Sequence, residues 1–600
     1  MREGLTAGFE MGPGEPLRYG RQTKQWQSYE IYKRFGRGGR HYIVRQFRPS
    51  LVNMVVEQIT YKNIDPAVRK SIMVGLCLAM LCACFDGTII GTCGTKIANE
   101  LNGNGLFTWM VTAYLLCECI TIPIAGKLSD LYGRKPLFLI GLGVFVGGSI
   151  IAGMSTNMEM LVICRGIQGL GGGILIPVAT AAIADLYAPE VRARMQGMLA
   201  MIFGVGSGIG PIIGGFITEN IDWRWCFYIN VPLAIVSFIF TIKKFPSPAI
   251  ITKPVIDYKG ITTLTVFLAS LIILFECGGN EFEWVSAITG ALVAVMAITA
   301  VIFVMVEKRA VEPILSPKLL KNRTVMAGGF YMLIFGIGMM GAMTFAGYFG
   351  TFILFELDTL TASYYTLFLV GGMMVTSVIS GALCERTGYR PWLIVGPVIV
   401  FIGLYLFSLL SVEGVVPAAE YPYYSVIDKP IDMFCVAQVV LGIGLGCMMT
   451  PVFAAVQNSS DPSEIGMNTS AVNLLRSVGT AVGTAIFTML INAHYVDMVD
   501  ELVPADPAGL ITDKATEFVQ AMIGYLVGGM PEISNQVLEA FIDSVDFGFI
   551  AGGVIILCAS IAGFFIKAKT TMQLNRERLH SLETHKSENV TSVESDEEQH

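Results

Sequence analysis

Charge is what this 600-residue chain has least of. Asp, Glu, Lys and Arg make up 14% of it, where soluble domains run near ~25%. With 53% apolar residues and a mean hydropathy of +0.62, a soluble globular domain is excluded. Histidine is scarce as well, and the five present show no metal-ligand spacing. No glycine-rich stretch follows a strand and runs into Lys-Ser/Thr, so a nucleotide loop is absent. Nothing supports an enzyme, a cofactor or a nucleic-acid partner. The chain also lacks an early apolar core: residues 1–70 are polar, with thirteen Lys and Arg against six Asp and Glu. No cleavable signal peptide is expected there. A cytoplasmic tail that helps fix topology is the first reading, and a binding role for anionic lipid the weaker one. Cysteine is plentiful, but Cys77, Cys82, Cys84, Cys93, Cys117, Cys119, Cys164, Cys447 and Cys558 fall in apolar runs. Small apolar packing, rather than disulfides or a zinc site, is their expected role.

What is present is length of hydrophobic run. Windows near 71–93, 107–126, 136–154, 159–185, 195–218, 225–243, 260–277 and 285–306 are followed by others near 325–349, 363–383, 391–411, 431–456, 466–492 and 547–567. Each approaches or exceeds the ~20 residues that cross a ~30 Å hydrocarbon core as a helix. The loops after the even-numbered windows carry Lys127/Arg134/Lys135, Arg192/Arg194, Lys243/Lys244/Lys253/Lys259, Lys308/Arg309/Lys318/Lys321/Arg323 and Arg386/Arg390. The alternate loops are neutral or acidic, which places both termini on the cytoplasmic side. The link after window 12, with Asp461 and Glu464 and no base, dissents.

Several stretches carry chemistry. Gly126-Lys-Leu-Ser-Asp130-Leu-Tyr-Gly133-Arg134-Lys135 joins windows two and three. Gly126 and Gly133 permit sharp turns, and Asp130 is expected at the start of the next helix, favoured by its dipole and by Arg134 and Lys135. Asp86 lies inside the first window, where a carboxylate costs ~2.5–3.5 kcal/mol on insertion scales and must face a protein interior or a wet cavity. It is either a proton carrier or a structural hydrogen-bonding group. Glu118, one turn beyond Tyr114, poses the same choice: a second proton site, a counter-charge for a cationic substrate, or a partner for a base such as Arg165. Arg165 and Gln168 sit in the fourth window and Arg476 in the thirteenth; a guanidinium cannot shed its proton, so each arginine needs a partner. Gly206, Gly210, Pro211, Gly214 and Gly215 combine close helix approach with a bend. Trp223 to Asn230 and Pro232 opens the sixth window.

The Gly126–Lys135 loop resembles the link between helices 2 and 3 of the major facilitator superfamily. Asp86-Gly-Thr-Ile, Trp109–Tyr114, Arg165-x-x-Gln168-Gly169, Gly206–Gly215 and Trp223–Pro232 resemble its fourteen-helix drug:proton antiporter branch, although Gly91 and Thr95 depart from the usual pattern. The resemblance implies an all-α polytopic membrane protein. Residues 71–243 and 324–567 would form two six-helix halves around an inserted helix pair at 244–323, with an external segment at 493–546 and a disordered tail at 568–600. It further implies proton-driven export of lipophilic, cationic compounds across the plasma or inner membrane. Asp86, Glu118 and Arg165 would couple protons, the Gly126–Lys135 loop would gate, and Gly206–Gly215 would act as the antiporter hinge. Tyr114, Gln168, Asn230 and Arg476 would line the substrate cavity. Alternatives are a dedicated exporter of one siderophore, antibiotic or amino acid, and a non-transporting sensor on the same fold. Segment 493–546 would either cap the outer vestibule or dock a periplasmic adaptor. The second-half loop Gly381–Arg390 echoes the first but is expected to lack a counterpart of Asp130, making the two gates unequal.

Overall fold

Among the residues described by the computed structural model, fourteen helices are long and apolar enough to cross a membrane. The described residues are 30–36, 39–45, 64–242, 245, 256–279, 281–349, 359–410, 430–502, 531–566, 568, 570 and 573. The first half comprises α1 (Pro66–Glu100), α2 (Phe107–Tyr132), α3 (Arg134–Gly153), α4 (Met158–Leu186), α5 (Pro189–Asn220) and α6 (Asn230–Ile242). Then come α7 (Tyr258–Cys277) and α8 (Ala287–Glu307). The second half is α9 (Arg323–Phe349), α10 (Thr359–Thr387), α11 (Tyr389–Ser408), α12 (Pro430–Ser459), α13 (Ile465–Leu502) and α14 (Pro531–Phe565). The ends follow local rules. Asp65 accepts the Ala67 N–H at 2.7 Å with Pro66 opening α1, and Asn157 accepts the Met160 N–H at 2.8 Å to open α4; both are N-caps that satisfy otherwise orphaned donors.

The two halves are repeats of one another. Within the first, α1 packs on α5 and α6, and α2 and α3 pack on α4; within the second, α9 packs on α13 and α14, and α10 and α11 pack on α12. The halves meet through α2 against α13 and α5 against α10, the pairing a two-fold relation between repeats requires. Even the turns match: Gly133 between α2 and α3 has φ 89°, and Gly388 between α10 and α11 has φ 88°, a region open to glycine at no steric cost. The inserted pair packs through α7 on α2 and α13, and α8 packs on α7 with no residue of its most apolar window buried. A helix apolar all round and so little covered by protein is suited to face lipid.

Small residues set the spacing of α5. A Cβ added at Gly206 would lie 2.5 Å from Cys84 Cβ, one at Gly210 would overlap Thr88 Oγ1, and one at Gly214 would lie 2.5 Å from Thr92 Oγ1. Three glycines at four-residue spacing thus receive three α1 side chains at the same spacing, one turn apart. Thr88 also donates to the Gly206 carbonyl at 3.3 Å. Pro211 lies inside α5, and Gly215 beside the seam is half-buried. The opposite face of α5 carries Gly197, Gly204 and Gly208 against Ser377, Met373 and Val370 of α10.

Two features differ from the sequence reading. The polar N-terminal segment contains two antiparallel strands, β1 (Glu30–Gly36) and β2 (Gly39–Arg45), in a unit of their own; Ile31, Tyr32, Phe35, Tyr42, Ile43 and Val44 are residue types that favour strands. Helix α13 runs to Leu502 and α14 starts at Pro531, so the described parts of the expected external segment continue the spans. At 38 residues, α13 is roughly 57 Å long, well beyond a ~30 Å core. His494 stacks on Phe547 with centroids 4.6 Å apart, joining the two extensions. Residues 503–530 and the tail from 574 lie outside the described residues. The thirteen cysteines are all free, and of these only Cys558 is exposed.

The seam makes a direct prediction. Gly210→Ala is expected to destabilise the detergent-purified protein by about 1–3 kcal/mol through overpacking, read as a lowered melting temperature. Gly87→Ala, where an added Cβ meets nothing within 4 Å, is expected to leave it unchanged or raised.

Candidate functional site

Asp86 of α1 and Arg165 of α4, separated by 79 residues in sequence, form an ion pair in which both side chains are almost wholly buried. Further hydrogen bonds hold both members of the pair. Gln168 Nε2 donates to Asp86 Oδ1 at 3.0 Å and to Ser149 Oγ of α3 at 2.8 Å, while Asn230 Nδ2 of α6 stands 3.5 Å from Asp86 Oδ1. Arg165 donates from Nε to the Met110 carbonyl at 3.3 Å and from Nη1 to Gln168 Oε1 at 3.2 Å. The Tyr114 ring lies 4.4 Å beneath the guanidinium carbon. Five helices of the first half thus converge on one carboxylate. Removing two charges from water is repaid only when hydrogen bonds satisfy both, as they are here.

Three of the four residues expected at the substrate cavity, Tyr114, Gln168 and Asn230, therefore sit in this network. The fourth, Arg476 of α13, does not. Its guanidinium lies 5.0 Å from the Phe203 ring centre, and Nε is buried without a hydrogen-bond partner. Glu118 of α2 is buried too, and its foremost electrostatic neighbour is Arg476, ahead of Arg165. Arg165 as a direct partner of Glu118, one of the readings open from the sequence, gives way to Asp86.

The gating loop lies at one end of the bundle. Arg134 Nη2 meets Asp130 Oδ1 at 2.6 Å, and Arg134 Nε meets Asp185 Oδ2 of α4 at 2.9 Å. Asp130 does sit at a helix start, but at that of α13 rather than α3. It accepts the Gly466 N–H at 3.0 Å and the Met467 N–H at 2.7 Å, so the dipole that favours it belongs to the opposite half. Gly126 packs against Ser470, close enough that a Cβ would collide. Lys135 is half-buried without an ion pair among the described residues, whereas Lys127 binds Glu312 at 2.6 Å. Thr180 near the end of α4 is a second knot: its carbonyl accepts from Gln196 at 3.0 Å and Gln457 at 2.8 Å, and its hydroxyl from Asn473 at 3.1 Å. Arg192 donates to Asn458 at 3.1 Å. The halves are joined by hydrogen bonds at this end. Nothing in the local sequence marks Thr180, because its partners come from three other helices.

The second-half loop corrects one expectation. Gly381, Glu385 and Gly388 repeat the spacing of Gly126, Asp130 and Gly133, so an acid does stand where Asp130 stands. What changes is its partner four residues on: Glu385 Oε1 accepts from the Tyr389 hydroxyl at 2.7 Å, and Tyr389 in turn meets Asn458 at 2.8 Å. The two loops differ in that a tyrosine stands where the first has an arginine.

Comparison with known proteins agrees with this geometry. The family model described as Major Facilitator Superfamily matches residues 76–484. The chain is 32% identical over 526 residues to "Multidrug transporter protein MdtP" of Bacillus subtilis, covering 83% of this chain and 93% of the relative. It is 29% identical over 518 residues to "Multidrug resistance protein 3" of the same organism, covering 85% and 98%. Among solved structures, the proton:xylose symporter XylE of the superfamily matches with a TM-score of 0.53 at 13% identity, over 85% of this chain and 99% of that one, which is a likeness of fold.

Two outcomes follow from the site. Asp86→Asn or Arg165→Gln, each of which strands a buried charge or its donors, is expected to cost about 3–5 kcal/mol; a double-mutant cycle in thermal unfolding should show the pair losing less than the sum of the singles. At the gate, Arg134→Gln is expected to raise the labelling of a cysteine at Ser470 by a polar maleimide well above that seen with Tyr389→Phe. Equal labelling would deny the inequality of the two loops.

Proposed function

This chain belongs to the major facilitator superfamily, a family of membrane transporters rather than enzymes, and on that premise we propose that it is a proton-driven antiporter that exports lipophilic cationic compounds. The single observation that carries the proposal is the Asp86–Arg165 pair, sealed in the first half by Gln168, Asn230 and Tyr114. Similarity to a multidrug transporter and a multidrug resistance protein of Bacillus subtilis supports drugs as the broad substrate class, and export is the direction that resistance requires. The positive-inside pattern assigns the loop end and both termini to the cytoplasm, which makes the described state closed inward.

In this reading a proton arriving from outside binds a carboxylate oxygen of Asp86 and removes its negative charge. Arg165 keeps its own, and its positive field then disfavours a cation held nearby, so the substrate leaves outward. The halves rock about the α2–α13 and α5–α10 contacts, which opens the loop end as the Asp130 cap on α13 lets go. Loss of the proton to the cytoplasm restores the carboxylate, the pair and the affinity for cation. Glu118 is the counter-charge facing the opposite half. Each charge moved down the membrane potential contributes ~2.3 kcal/mol per 100 mV, and each pH unit ~1.4 kcal/mol per proton.

The test is uptake of a fluorescent lipophilic cation into everted vesicles. Wild-type uptake should collapse with an uncoupler and be lost in Asp86→Asn. Uncoupler-sensitive uptake that survives intact in Asp86→Asn would remove Asp86 from the proton path.

A further inference from the structure

The described interior contains three buried arginines, and two are ion-paired: Arg134 with Asp130 and Asp185, and Arg165 with Asp86. Arg476 is the third. It is 4% exposed, forms no hydrogen bond or ion pair from its side chain among the described residues, and has a buried Nε with no partner. Glu118 is buried likewise, 6% exposed, and its carboxylate forms neither hydrogen bond nor ion pair among the described residues. The two come from opposite halves, Glu118 from α2 and Arg476 from α13, two helices in direct contact. Their neighbours Cys119 and Ile122 pack with Leu474 and Val478 in one cluster. A carboxylate and a fixed cation, with no ion pair between them among the described residues, thus belong to the same helix–helix interface. Both groups would otherwise remain unsatisfied, at a cost neither helix recovers elsewhere.

We propose that Glu118 and Arg476 form a two-charge subsite for an amphoteric ligand, one carrying an organic cation for Glu118 and an acidic group for Arg476. The inference rests on the transport reading above and narrows its substrate class. Charge balance favours it over a simple cation. Asp86 and Arg165 already cancel, so a bare cation placed at Glu118 would also meet the uncancelled field of Arg476. A ligand with both charges meets attraction at both ends. A guanidinium presents a planar fork that suits a carboxylate in two-point contact. Phe203, packed on the Arg476 guanidinium, and Tyr114, one turn before Glu118, offer aromatic surface for a lipophilic body.

Rhodamine B and its ethyl ester are the probes, because they share one xanthylium cation and differ in whether the carboxylate is free. Binding to the purified full chain is followed by fluorescence anisotropy without any proton gradient. Wild type is expected to bind rhodamine B more tightly than the ester. Arg476→Gln should lower the ratio of the two affinities by about tenfold or more, the size of one charge-assisted hydrogen bond, and Arg476→Lys should restore part of it. Glu118→Gln should weaken both dyes, since both carry the cation. Wild type that binds the ester as well as rhodamine B, or that binds neither, overturns the proposal. So does an Arg476→Gln protein that weakens both dyes equally, the mark of a structural arginine. Because binding is read without a gradient and on residues other than Asp86, failure of proton coupling and failure of this subsite give separate signatures.

Discussion

The structure depends on an ion pair whose two side chains are almost wholly buried. Asp86 and Arg165 are too costly to bury singly, and their attraction compensates only because Gln168, Asn230, Ser149 and the Met110 carbonyl complete the remaining hydrogen bonds. That requirement fixes the arrangement of α1, α2, α3, α4 and α6 about one point. It also explains why α1 and α5 must be so close. The Gly206–Gly210–Gly214 seam lets Thr88 and Thr92 nest into α5, and α1 carries Asp86 half a turn away from Thr88. A device that changes the charge of Asp86 therefore loosens the centre of one whole half.

The loop end answers the centre. Asp130 is held by Arg134 on its own half and by two backbone N–H groups of α13 on the other. The carboxylate is at once an ion-pair member and a helix cap, and it can keep the second role only while the halves stay together at that end. The knot at Thr180 adds three further hydrogen bonds from α5, α12 and α13. The second-half loop copies the backbone through Gly388 and the acid through Glu385, but its tyrosine replaces a charged partner by a neutral one. One gate is thus charge-locked and the other hydrogen-bonded, so repeats with the same shape need not release with the same ease.

Much of this was legible in the sequence, for a physical reason. Spanning a bilayer forces long apolar runs, and these gave the fourteen helices with small errors at the ends. The exceptions are α13 and α14, whose polar extensions, on to Leu502 and back to Pro531, have no apolar signal to betray them. Charged residues inside such runs announce themselves, which is why Asp86, Glu118, Arg165 and Arg476 stood out. Their pairing did not. Helical spacing assigns a residue to a face, but which faces meet is set by packing among distant segments, so Glu118 was left open to Arg165 until the structure gave Arg165 to Asp86. The same limit placed Asp130 at the start of α3, its neighbour in sequence, when it caps α13. Glu385 was overlooked although its spacing from Gly381 matches that of Asp130 from Gly126; its tyrosine partner hid the parallel. Gln457 and Asn473 lie in stretches that resemble the family, but nothing local points them at Thr180, which carries no signal at all.

The account stands on Asp86 exchanging a proton as the substrate comes and goes. The most direct measurement is proton release on ligand binding by the purified protein, followed with a soluble pH indicator in weak buffer. Wild type should release protons when a lipophilic cationic dye binds, and Asp86→Asn, fixed in the neutral state, should bind the dye more weakly and release none even at dye concentrations that saturate it. Release of the same size from wild type and Asp86→Asn would contradict the account.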